Sequence, residues 1–150
     1  MAKALLGFER IFVGTPRLPG YALNRLQLLC DQLGAFSDAA VLDQFTQHRL
    51  DVRDLTSAFE GYIEHIRSGG TVGPDVSFLK IWATEVYQQI TDTMIEIAGD
   101  RGGFREDLRA GDTEIDVTSE FMRSRTATIY GGSNEIQRGI IAKNVLRLPS

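Results

Sequence analysis

Cysteine, histidine, tryptophan and proline are all scarce in this chain of 150 residues: one Cys, two His, one Trp and four Pro. Each scarcity removes a class of explanation. The lone Cys30 cannot close an intrachain disulfide and suits a reducing compartment. It falls on the apolar stripe of a helix, where a thiol behaves as a small hydrophobe rather than as a nucleophile. His48 and His65, with a single cysteine, show no metal-ligand spacing. No glycine-rich loop follows a strand, so neither a P-loop nor a dinucleotide fingerprint is present. No apolar run approaches the roughly 20 residues needed to span a bilayer. Near the N-terminus Lys3, Glu9 and Arg10 interrupt the apolar residues too early for a secretory signal. The expected location is the cytoplasm, or the mitochondrial matrix in a eukaryote. A net charge of −4 argues against nucleic acid as the main partner.

What the chain has instead is helical periodicity. Apolar positions run Val41, Phe45, His48, Val52, Leu55, Phe59, Tyr62, Ile66, with spacings alternating between four and three. A second run is Val76, Leu79, Ala83, Val86, Ile90, Thr93, Ile97, and a third is Ala22, Leu26, Leu29, Leu33, Phe36. Spacing of 3.5 held over several heptads predicts long helices packed at shallow angles. Ser37-Asp38 can cap the second helix, and the stretch from Ser68 to Asp75 ends it and starts the third. Residues 99–112 carry four glycines and mixed charge and read as a loop. A shorter helix is expected over Thr113–Thr126 and a last one over Ser133–Leu146. No segment shows a convincing two-residue alternation. The fold expectation is therefore all-α: a single domain over residues 1–150, an up-down-up-down four-helix bundle with an extra C-terminal helix. His48 lies inside a stripe and reads as a buried histidine with a backbone or carboxylate partner, and Trp82 with Phe78 as core or subunit packing.

The most specific segment is Thr-Ile-Tyr-Gly-Gly-Ser-Asn-Glu-Ile-Gln-Arg over 128–138. It reads as a tight Gly-Gly turn followed by a helix start, with Ser133 as N-cap and Glu135 in the first turn. Free N–H groups at such a turn can receive a carbonyl oxygen or a phosphate. Arg123, Arg125, Arg138, Lys143 and Arg147 gather nearby, a local positive field suited to a phosphorylated cofactor.

Tyr130-Gly131-Gly132-Ser133 with Glu135-Ile136-Gln137-Arg138 and Ala142-Lys143 closely resembles the C-terminal signature of the acyl-CoA dehydrogenases. Those are FAD enzymes that desaturate acyl-CoA thioesters between Cα and Cβ. The family has an N-terminal helical domain, a middle β-domain and a C-terminal bundle, and the resemblance is to the last of these, over essentially the whole chain. It implies FAD as cofactor, acyl-CoA as substrate, an electron-transfer flavoprotein or similar acceptor, and a homo- or hetero-oligomer, dimer or tetramer. In many members a glutamate follows the tyrosine and removes the α-proton; here that position is Gly131. In a subset the glutamate lies instead on the first bundle helix, in a Glu-Arg pair followed by apolar residues, as in Phe8-Glu9-Arg10-Ile11-Phe12-Val13. The resemblance thus implies Glu9 as base and the Gly131 N–H as donor to the thioester carbonyl. Gly132, Ser133 and Glu135 match positions beside FAD, and Arg10 and Tyr130 positions beside substrate.

Two stretches depart from the family. Cys30–Ser37 lacks the arginine that members use on a neighbouring subunit's FAD, and the glycine turn at Glu96–Gly103 is degenerate. A non-catalytic subunit of a heteromeric acyl-CoA dehydrogenase is the alternative, and a plain helical interaction module a third reading. The chain reads as a fragment of a larger flavoprotein, expected to be colourless and inactive alone.

Overall fold

The computed structural model describes residues 10–103, 108–110 and 113–149. Five helices and one short hairpin make up most of it. The first helix expected from the sequence is interrupted: residues 10–13 are helical, residues 14–16 turn, and α1 runs over Arg17–Leu33. The break has two causes. Pro16 lacks the N–H that would continue the ladder, and the chain at Gly14 is pressed against its neighbours. A Cβ there would sit 2.8 Å from the Cβ of Leu79 and 2.9 Å from the carbonyl oxygen of Arg10. Helix α1 ends at Gly34, whose φ of 64° returns its N–H to Asp31 and Cys30 carbonyls.

Helix α2 spans Ala39–Arg67 and is started by Asp38, whose side chain accepts from the Ala40 N–H at 2.8 Å. After the Pro74–Val76 turn comes α3, Ser77–Ala98, ended at Gly99. The loop expected next contains a strand, β1 (Leu108–Ala110), and the start of the expected helix a second, β2 (Thr113–Ile115), paired antiparallel with Leu108 opposite Ile115. Both of those side chains are buried. Three residues per strand are too few for alternation to register in sequence. The helix expected from Thr113 accordingly starts later, as α4 over Val117–Ala127, with the Asp116 carboxylate accepting from the Ser119 N–H at 2.8 Å. The last helix, α5, is Asn134–Asn144, two residues shorter at its end than expected.

Helix α3 is the centre of the domain, in contact with α1, α2, α4 and α5. Its Ile90 and Met94 pack with Leu26, Leu29 and Cys30 of α1, and its Leu79 and Ala83 with Leu55 of α2. Ala22, Leu26, Leu29 and Cys30 are fully buried, as the stripe requires; Leu33, at its end, is 40% exposed. Full burial of a leucine or isoleucine is worth ~1.5–3 kcal/mol. Among the described residues the fold is all-α apart from the hairpin, and no described helix is long and apolar enough to cross a membrane.

Candidate functional site

Helices α4 and α5 are joined by the turn at Thr128–Ser133. Gly131 and Gly132 both have positive φ, 68° and 88°, a backbone region that glycine enters without steric penalty. Ser133 is the N-cap of α5, accepting from the Ile136 N–H, as the sequence led us to expect. Thr128 and Asn134 close the neck of the turn through a 3.0 Å bond from the Asn134 N–H to the Thr128 carbonyl.

Gln137, 1% exposed, holds the turn from inside. Its Nε2 donates to the Gly131 carbonyl at 2.8 Å and reaches the Gly132 carbonyl at 3.4 Å. The reversed amide would set an oxygen against two carbonyls, so the assignment is chemically determined. In a trans peptide the C=O and the following N–H point opposite ways, and the described chain contains no cis bond. The N–H groups of Gly132 and Ser133 are therefore turned away from Gln137. Among the described residues, no acceptor within the chain takes the N–H of Gly131, Gly132 or Ser133. A Cβ on Gly132 would meet Gln137 Nε2 at 2.7 Å, a second reason for glycine here.

Below the turn lies Lys80 of α3, fully buried. Its Nζ donates to the Thr128 carbonyl at 2.9 Å and to Asn134 Oδ1 at 2.6 Å. Burial lowers its pKa from the usual lysine value, against an upward pull from Glu135 and Glu85. Sequence reading missed Lys80, Asn134 and Gln137 as parts of the site. The available signal was a lysine between Leu79 and Ile81 on a helix otherwise apolar at that level.

Beside the turn is a cleft of about 500 Å³ whose walls include Phe12, Val13, Leu18, Tyr21, Arg123 and Tyr130. Its volume falls within the range of small-molecule sites. Phe12, Val13 and the start of α1 form one wall, Tyr130 and Arg123 of α4 the other. Arg123 is held by Glu120 at 3.2 Å, and Glu120 accepts from the buried Tyr87 hydroxyl at 2.7 Å. The core helix thus aims a cation at the cleft rim.

The sequence-nominated residues divide as follows. Tyr130 lines the cleft. Gly131, Gly132 and Ser133 form the turn beside it. Glu135 is exposed, its carboxylate pKa lowered chiefly by its own backbone N–H and by the Ser133 hydroxyl. Arg10 lies on the helical stretch that carries Phe12 but is not among the residues lining the cleft; its Nε is buried without a partner. Glu9, the nominated base, lies outside the described residues. The positive field is weaker than the sequence suggests, because Arg123, Arg125 and Arg138 pair with Glu120, Asp92 and Glu85.

His48 corrects another expectation: its partner is neither backbone nor carboxylate but the Thr93 hydroxyl, 2.9 Å from Nε2. Cys30 is buried and its thiol pKa is pushed up to about 11, which leaves it unreactive. No described group of His, Cys, Asp and Glu could hold a metal.

Comparison with known proteins agrees with this architecture. Residues 2–146 match the family model for the acyl-CoA dehydrogenase C-terminal domain. The chain is 69% identical over 152 residues to acyl-CoA dehydrogenase IpdE1 of Mycolicibacterium smegmatis, covering 99% of this chain and 36% of that protein. It is 30% identical over 155 residues to acyl-CoA dehydrogenase IpdE1 of Mycobacterium tuberculosis, covering 99% and 38%. It therefore spans under two-fifths of the length of these curated relatives. A solved variant of the Tcur3481-Tcur3483 steroid ACAD superposes with a TM-score of 0.81 at 18% identity, over 99% of this chain and 40% of that one. With its fold, its turn and these matches in agreement, the chain belongs to the acyl-CoA dehydrogenase family, as a C-terminal domain.

Proposed function

We propose that this domain serves an FAD-dependent desaturation of an acyl-CoA thioester, with Glu9 as the base that takes the α-proton. The observation that carries the reading is the cleft between Phe12 and Val13, which lie three and four positions after Glu9 in sequence, and Tyr130 at the turn. FAD, when bound, would supply the acceptor for the hydride that leaves Cβ as the Cα–Cβ double bond forms.

The chain's residues fit the edge of that cofactor. The turn offers N–H groups that no described residue accepts from, beside the Ser133 hydroxyl and the exposed Glu135 carboxylate, a set suited to hydroxyl and amine groups of a dinucleotide. The work left to the chain is proton transfer and charge stabilisation. A carboxylate base needs an apolar surround to raise its pKa toward neutrality, and Phe12 and Val13 give the cleft apolar surface. An outward N–H of the turn donates to the thioester oxygen as negative charge develops there. One such donor is worth ~2.7–4 kcal/mol.

The substrate we infer is bulky and apolar. The cleft's volume and its Phe12, Leu18 and Tyr21 walls suit a fused-ring acyl group, and the superposing solved protein is titled a steroid ACAD. The whole enzyme would pass electrons to an electron-transfer flavoprotein or similar acceptor, as an oligomer. Location in the cytoplasm fits these readings.

Anaerobic bleaching of the flavin in the full-length protein by a panel of acyl-CoAs tests the proposal. Ring-derived thioesters should bleach it and Glu9→Gln should abolish bleaching with flavin still bound. Unchanged bleaching in Glu9→Gln would overturn the assignment. It would favour the second reading, a supporting subunit of a heteromeric enzyme, for which the missing carboxylate at Gly131 already speaks.

A further inference from the structure

We propose that Lys80 is a positioning residue for the catalytic turn, clamping its two ends so that the N–H groups of Gly132 and Ser133 stay turned away from Gln137. The proposal rests on the reading above that this turn faces the thioester.

Lys80 sits on α3, near the start of the helix, and its ammonium reaches both ends of the turn at once. One donor goes to the Thr128 carbonyl, the other to Asn134 Oδ1. Thr128 O also takes the Asn134 N–H, so both ends converge on one oxygen and one ammonium. Because an ammonium can only donate, it determines which end of the Asn134 amide faces it. Asn134 Nδ2 is then left to Thr84 Oγ1 at 3.1 Å, one helical turn beyond Lys80. Two side chains of α3 thus grip the first residue of α5 at the point where the turn ends.

Packing alone does not explain this lysine. A methionine would fill the same space without desolvating a charge, and buried ammonium groups carry a heavy desolvation penalty unless they are fully paired. Nor does Lys80 line the cleft, so it acts on chemistry only through the turn. Gln137 orients the Gly131 and Gly132 carbonyls from within, and Lys80 holds the neck from below. The first sets which way the peptides face; the second sets where the turn stands relative to the domain core.

The test uses the full-length, FAD-loaded protein and the Lys80→Met variant. Hydrogen exchange of the peptide covering 128–137 should speed up about tenfold while exchange in α1 and α2 stays unchanged. With an acyl-CoA that bleaches the wild-type flavin, kcat should fall by roughly 10- to 100-fold, part or all of one oxyanion donor's usual contribution, with KM little changed. Asn134→Leu should reproduce both effects, and the double variant should be no worse than either single one, since both break one clamp. If Lys80→Met fails to fold, Asn134→Leu carries the same readouts. Exchange at 128–137 that rises no more than elsewhere, or single effects that simply add, would overturn the clamp. If no acyl-CoA bleaches the wild-type flavin, the proposed reaction falls, and the exchange data still decide the clamp by themselves.

Discussion

Helices α2 and α3 carry nearly the same apolar periodicity and live in opposite surroundings. The 29-residue α2 buries only Phe45, His48 and Leu55. The 22-residue α3 buries thirteen side chains around its circumference, Lys80, Thr84, Tyr87 and Thr91 among them. The stripe on each helix is where it was expected. What differs is the opposite face, which on α2 meets solvent and on α3 meets α4 and α5. That second face is polar because it holds α4, the Thr128–Ser133 turn and the start of α5. Tyr87 supports Glu120 and so Arg123, Lys80 and Thr84 grip Asn134, and Thr91 bonds Ser124 at 2.8 Å. A helix whose periodicity marks only one face can therefore be the core of a domain, provided that each polar group on its other face finds a partner.

Substitutions on the two helices should separate the environments. The largest contrast is Ile90→Ala on α3 against Leu50→Ala on α2. Ile90 is fully buried and Leu50 is 49% exposed. The first should cost about 3 kcal/mol in urea unfolding of the domain and the second under about 0.5. Equal losses would mean that α2 is covered in the unfolding unit and that the contrast is wrong. Next comes the polar bond that joins the helices. Thr93→Val removes the hydroxyl shared by Gln44 Nε2 and His48 Nε2 and should cost about 1–2 kcal/mol. A neutral result would show that this bond is replaced by water.

The start of α2 is exposed and should respond less. Asp38→Ala deletes the side chain that caps it, with an expected loss of about 1 kcal/mol, and Asp38→Asn should restore most of it.

The smallest effect is on pH. Burial lowers the pKa of His48, outweighing an upward pull from Asp51, so the folded chain keeps it neutral while the unfolded chain takes up a proton below its ordinary value of 6.5. Stability is unaffected by this group above that pH and falls as pH drops below it, by under about 1 kcal/mol between pH 6.5 and 5.5. Measured unfolding free energies in His48→Gln should lose that slope. An unchanged slope would place the titration elsewhere.

Much of the fold was legible, and the reasons are local. The stripes through Leu26, Leu55 and Ile90 are periodic, Asp38 and Ser133 are capping residues in capping positions, and Gly34 and Gly99 stop helices because they accept positive φ. The hairpin at Leu108–Ile115 was not legible, since two three-residue strands leave no pattern. The break at Gly14-Thr15-Pro16 depends on Leu79, 65 positions away, pressing on the backbone.

The site divides along the same line. Tyr130-Gly131-Gly132-Ser133 is a contiguous motif whose turn and cap follow from short-range sterics and hydrogen bonds, so the sequence by itself determined the turn, the buried stripes of the long helices and the family. That Tyr130 meets Phe12 and Tyr21 across a cleft, that Lys80 lies beneath the turn, and that the nearby arginines are paired with Glu85, Asp92 and Glu120 were decided by tertiary structure alone. Each of those contacts joins residues more than thirty positions apart, except the Arg123–Glu120 pair within α4, and long-range partners are chosen by how helices pack, which no local pattern encodes.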